Sequence, residues 1–140
     1  MRTLGLLLGL FLMSVVVTAQ AKETAYNITI TIDNVANDNG SVLAGLHNVE
    51  TFMKGKGVQN LQSTIKDGKI TLVFKDVKPG EYAILAMHDK NNNKQMDREA
   101  NGMPTEDYGI SGSSTPYGPP SFNDAKFTVT DKDLEFAIRF

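Results

Sequence analysis

Asn27-Ile28-Thr29-Ile30-Thr31-Ile32, followed by Asn37-Asp38-Asn39-Gly40-Ser41-Val42-Leu43-Ala44-Gly45-Leu46, is the stretch that decides the fold class. Three isoleucines alternate with polar residues, and a period of two marks a half-buried strand. Asn39-Gly40 then supplies the positive φ of a tight hairpin. Val42, Ala44 and Leu46 resume the apolar side of a second strand from Ser41 to His47. The pattern predicts that these two strands form a hairpin.

Working outward, Val49 to Asn60 loses the period and reads as a Gly/Lys-bearing loop with one helical turn near Glu50 to Met53. Asp67-Gly68, flanked by Ser63–Lys66 and Lys69–Phe74, predicts a second hairpin. Pro79-Gly80 forms a turn, and Glu81 to His88 leaves it as a strand apolar at most positions, as a central strand is. Residues 98 to 124 are rich in Gly and Pro and have no period, and so long a stretch in a compact domain is functional or disordered. Two more strands are expected at Ala125–Thr130 and Leu134–Phe140, with Leu134, Phe136, Ile138 and Phe140 on one face. The sum is an all-β domain, a single antiparallel β-sandwich of about seven strands. An alternating last strand ending in an aromatic is also a trait of outer-membrane barrels, but those need strands of about 9–11 residues and most here are shorter.

At the other end, Arg2, the apolar run Leu4–Val17 and the small residues Ala19 and Ala21 form a secretory signal peptide over residues 1–21, with the sandwich domain over 22–140. The run is shorter than the ~20 residues of a spanning helix, so no transmembrane segment is expected after cleavage. About 119 residues would remain, enough for one core and too few for two. The formal charge of −2 becomes about −3 in the mature chain, which gives no electrostatic case for nucleic acid as a partner. There is no cysteine, so neither disulfides nor an acylated N-terminal cysteine is available. A bacterial periplasmic or secreted protein fits these facts.

Chemistry concentrates in the ten residues His88-Asp89-Lys90-Asn91-Asn92-Asn93-Lys94-Gln95-Met96-Asp97. Counting Asp89 as position 1 puts Asn91 at 3, Asn93 at 5, Gln95 at 7 for its backbone carbonyl and Asp97 at 9, the oxygen spacing of a calcium loop. Lys94 stands where glycine makes the sharp turn and Ala100 where a bidentate glutamate belongs, so Glu99, Glu106 or Asp107 would have to complete the shell. Calcium, as the candidate cofactor, would bind at roughly 10⁻⁴ to 10⁻³ M. The competing reading is an Asn/Asp turn whose side chains bond their own backbone.

Catalysis has little to stand on. The two histidines, His47 and His88, lie at strand ends and either could pair with Glu50 or Asp89, but no nucleophile elbow, cysteine or His-x-x-x-His spacing accompanies them. A small periplasmic hydrolase using His88 and Asp89 is the alternative; the expectation is no enzyme and no catalytic residues. Tyr108, Tyr117 and Phe122 are the candidate binding residues, as aromatics on a loop segment, for a protein, peptide or envelope-glycan partner; the competing reading folds them back onto the core.

The loop motif, Gly102-Met103-Pro104, Tyr108-Gly109-Ile110-Ser111, Gly118-Pro119-Pro120-Ser121-Phe122 and the earlier Lys78-Pro79-Gly80-Glu81-Tyr82 occur in the order seen in a bacterial exported family. The chain resembles the family catalogued as domain of unknown function 2141, over almost everything after the signal peptide. That resemblance implies an exported domain of this size with an immunoglobulin-like or transthyretin-like sandwich and no established activity. In the family the turn inside the loop usually carries glycine, from which Lys94 departs.

Overall fold

The structure is a computed structural model that describes residues 16–112 and 118–140. Eight strands and one short helix follow in the order β1(Tyr26–Ile32), β2(Ser41–His47), β3(Gln59–Ser63), β4(Ile70–Val77), β5(Gly80–Asp89), β6(Tyr108–Ile110), α1(Phe122–Ala125), β7(Phe127–Val129) and β8(Leu134–Ala137). They make a three-stranded sheet, β4-β1-β8, and a five-stranded sheet, β3-β2-β5-β6 with β7 also on β5.

Ile28, Ile30 and Ile32 of β1 are fully buried, as their alternation requires, and meet Val42, Ala44 and Leu46 of β2 and Ile84 and Ala86 of β5 from the opposite sheet. Each large aliphatic side chain removed from water in this layer contributes about 1.5–3 kcal/mol. Phe74 is the largest fully buried side chain and fills the β4 side of the same layer. The all-β sandwich is therefore what the sequence predicts.

The first predicted hairpin does not exist. β1 pairs with β4 and β8, whereas β2 pairs with β3 and β5. The two strands face each other across the core instead of lying side by side, which buries both apolar faces against one another. The linker between them is anchored on its way: Val35 N–H donates to Gly68 O at 3.0 Å, and the Asn34 amide bonds both the N–H and the carbonyl of Phe140.

At the second predicted hairpin the turn forms as its residues dictate, with φ of 52° at Asp67 and 70° at Gly68 and reciprocal Lys66–Lys69 backbone bonds of 3.1 and 3.0 Å. Only one bridge follows it. Beyond that bridge β3 and β4 separate into different sheets, so turn chemistry is right and strand pairing is not.

β5 is the central strand of its sheet, held by β2 along Ala83 to Asp89 and by β6 along Leu85 to Met87. β6 lies inside the segment expected to carry no regular structure, and the expected strand at Ala125–Thr130 is divided between the end of α1 and β7. The last strand turns its expected face inward: Ile138 is buried and Leu134, Phe136 and Phe140 pack against the core. It runs parallel to β1, an exception to the antiparallel expectation.

Candidate functional site

Successive residues of a strand point to opposite faces, so the residues between the core positions of β2 and β5 form the outer face of the larger sheet. That face is ordinarily polar where a sheet meets water. Here it carries Leu43 and Gly45 from β2, Leu85 and Met87 from β5 and Tyr108 and Ile110 from β6.

One end of this face is covered. Asn48 closes a single helical turn, accepting from Phe52 N–H at 3.0 Å, and the turn presents Phe52 to Phe122 of α1 with ring centroids 5.7 Å apart. Phe52, Ala83 and Ala125 form a second buried cluster with Leu85, Ile110 and Phe122 packed against it. The buried Ser111 hydroxyl ties the cover down, donating to Ala125 O at 2.7 Å and accepting from Ile84 N–H at 2.8 Å.

The rest of the face is an open groove of about 950 Å³. Its floor is the six residues of β2, β5 and β6 just named. Met53 and Lys56 of the β2–β3 loop border one end, Met96, Lys94 and Arg98 the other, and Pro119 and Pro120 contribute a wall. Tyr108 is 48% exposed and lines it. Phe122 instead packs within the second cluster, and Tyr117 lies outside the described residues. Sequence reasoning missed Leu43, Leu85 and Met87, whose one available signal was apolar residues on both faces of β2 and β5, and Met96 of the loop, for which there was none.

His47 sits at the groove with its Nδ1 3.1 Å from Thr51 O, so that nitrogen donates and Nε2 lies over Gly45. A Cβ at Gly45 would come within 2.6 Å of Nε2, so the glycine makes room for the ring. Burial pushes the His47 pKa below the usual value, opposed by the Thr51 hydrogen bond, and the ring is neutral at pH 7. His88 is fully buried, its Nε2 2.7 Å from Asn39 O and its Nδ1 without a partner. It faces the core while Asp89, the next residue of the strand, uses its carboxylate elsewhere.

That carboxylate organises the loop that follows β5. Asp89 is fully buried and accepts from Asn93 N–H at 3.1 Å and Lys94 N–H at 2.8 Å. Asn91 and Asn93 accept from the backbone two residues on, and their amide nitrogens converge on the two oxygens of Asp97 at 2.6 and 2.8 Å. Gln95 is exposed, its N–H donating to Asn93 Oδ1. Of the three acids that could complete a shell, Glu106 reaches the loop, accepting from Lys90 N–H at 2.9 Å and Asp97 N–H at 3.2 Å. The loop thus brings Asp89, Asn91, Asn93, Gln95 and Asp97 together, as an Asx-bonded turn closed by its own amides. Among the described residues no three His, Cys, Asp or Glu side chains form a metal-holding group.

Lys94 adopts φ 61°, the left-handed conformation that the glycine of a calcium loop takes. An L-residue gives up about 1–2 kcal/mol there. Lys94→Gly is therefore expected to raise stability by roughly 0.5–1 kcal/mol, since the gain is partly offset by a freer unfolded chain. Urea melts of the two proteins measure this, and a less stable variant would contradict the strain assigned to Lys94.

Comparison with curated proteins finds no match to the chain. Among solved structures, two of the pilus-presented adhesin Spy0125 (Cpa) are similar, one at 16% identity and TM-score 0.27 over 83% of this chain, the other at 13% and 0.28 over 86%. The chain spans 27% of the adhesin's length in both. A family model matches residues 30–137, which run from within β1 to the end of β8 and hold both the groove and the loop. The chain belongs to the bacterial family described as "Uncharacterized protein conserved in bacteria", DUF2141.

Proposed function

We propose that the domain is an exported, non-enzymatic binding module of the cell envelope whose ligand lies in the groove on the outer face of the larger sheet. The observation that carries this reading is the open half of that face: Phe52 and Phe122 cover the Ala83 end, while beyond it Leu43 and Met87 line the groove half-buried and Tyr108 lines it exposed. Concave apolar surface with a few polar groups is where ligands bind. Export is supported by Arg2 and the apolar run Leu4–Val17, and no helix among the described residues is long and apolar enough to cross a membrane.

Nile red, a neutral apolar dye, probes the groove without regard to charge. Its fluorescence should rise on titration with the protein, and Met87→Lys should weaken that binding about tenfold by placing an ammonium on the floor. The substitution lies on the outer face, so the melting temperature should change little. Equal dye binding by both proteins would refute the groove as the site.

A second reading gives the 89–97 loop a low-affinity calcium ion as a staple for a cysteine-free domain. It is supported by Glu106 reaching the loop and by the left-handed Lys94 at the turn position. The Asn91 and Asn93 amides would have to release Asp97 and turn their oxygens inward. At millimolar calcium the melting temperature should rise by a few degrees, as binding at several times Kd requires, and Asp97→Ala should remove the rise. Superimposable melts in calcium and in chelator would eliminate the staple.

A further inference from the structure

The charges around the groove are all of one sign. Lys56 borders one end and Lys94 and Arg98 the other, and among the described residues no acidic side chain lines it. This occurs on a chain of net charge −2, so the groove departs from the balance of the molecule. Among the described residues none of the three cations takes part in an ion pair, the four pairs present being Lys78–Glu23, Lys90–Asp107, Lys126–Glu81 and Arg139–Asp33. Arg98 donates one guanidinium hydrogen bond, to Gly102 O at 3.0 Å, and is otherwise available.

The floor decides what the cations can serve. It is the face of a sheet, not its edge, and the backbone of β2 and β5 is engaged on both sides by neighbouring strands. A peptide laid across β2 and β5 would find no free backbone N–H or C=O on those strands and would leave its own amides desolvated and unmatched there, whereas peptides that add to sheets do so at edges. An alkyl chain carries no such groups. Met53, Met87 and Met96, unbranched and polarizable, suit a chain of variable conformation.

We propose, resting on the groove reading above, that the ligand is a free fatty-acid carboxylate whose alkyl chain lies along Leu43, Leu85 and Met87 and whose head sits between Lys94 and Arg98. The loop after β5 then has a second role, because Asp89 holds the backbone of Lys94, one of the two head-group cations. Charge complementarity sets the class of head, and the apolar face sets the chain.

The test is calorimetric titration of the whole protein with dodecanoate, dodecanol and dodecylammonium below their micellar concentrations, with Nile red displacement in parallel. Dodecanoate should bind about tenfold more tightly than dodecanol and displace the dye, dodecylammonium more weakly than either. Lys94→Gln with Arg98→Gln should bring dodecanoate to the level of dodecanol and leave dodecanol and Nile red unchanged. Dodecanol binding as tightly as dodecanoate would overturn the carboxylate and leave the groove standing. Failure of all three amphiphiles together with failure of Nile red would overturn both readings. Binding of an acidic leucine-rich peptide without dodecanoate binding, or self-association of the free protein that Met87→Lys abolishes and dodecanoate does not reverse, would assign the groove to a peptide or to a second copy and reject the fatty acid.

Discussion

Gly40→Ala is expected to destabilise the protein by about 3–5 kcal/mol, enough to threaten folding of a domain of this size. Two effects add. Gly40 has φ 70°, where any L-residue gives up about 1–2 kcal/mol. A Cβ on it would also overlap the Asp89 carbonyl oxygen and lie 2.8 Å from the carbonyl carbon of Lys90. Those are backbone atoms at the end of β5, and relieving the overlap means shifting the start of the acidic loop away from β2, at a cost comparable to overpacking a core. Gly102→Ala separates the two effects, since Gly102 has φ 86° and nothing within 4 Å of its Cβ position. Chemical denaturation should show Gly102→Ala losing only about 1–2 kcal/mol. Equal losses for the two variants would mean that close approach at Gly40 contributes nothing.

Asp89→Ala should cost about 3–5 kcal/mol, because it strips a buried anion from two backbone donors at once. Hydrogen bonds to a charged group contribute roughly 1.5–3 kcal/mol each, and the orphaned N–H groups of Asn93 and Lys94 would be left to find water. Asp89→Asn keeps one acceptor oxygen and should lose about half as much. Hydrogen exchange locates the effect: the amides of Asn93 and Lys94 should lose protection in Asp89→Ala while β1 amides keep the ranking they have in the parent. A variant as stable as the parent, with those two amides still protected, would show that the carboxylate does not hold the loop.

The loop from His88 to Asp97 was legible from its residues as a turn rich in oxygen ligands, and each Asx bond it makes is local. The sequence offered Glu106 as one of three acids beside Glu99 and Asp107, and only the fold singles it out, bringing it from beyond the loop to join the two ends through Lys90 and Asp97. His88 and Asp89 adjoin in sequence, and that adjacency suggested a catalytic pair. A strand sends neighbours to opposite faces, and each side chain is committed to a separate partner, Asn39 O and the amides of Asn93 and Lys94.

Alternation at Ile28, Ile30 and Ile32 and at Val42, Ala44 and Leu46 determined, without any structure, that the chain is all-β and which side chains enter its core. Turn residues did the same for the bends at Gly40 and Asp67-Gly68, because positive φ is a property of the residue itself. Which strands pair was decided only in three dimensions: strands joined by those bends part into opposite sheets, since burying two apolar faces against each other removes more surface from water than setting them side by side. The groove belongs to the same class of facts. Leu43, Met87 and Tyr108 come from three strands far apart in the chain, and only the register β2-β5-β6 places them on one face, bordered by the cations of two separate loops.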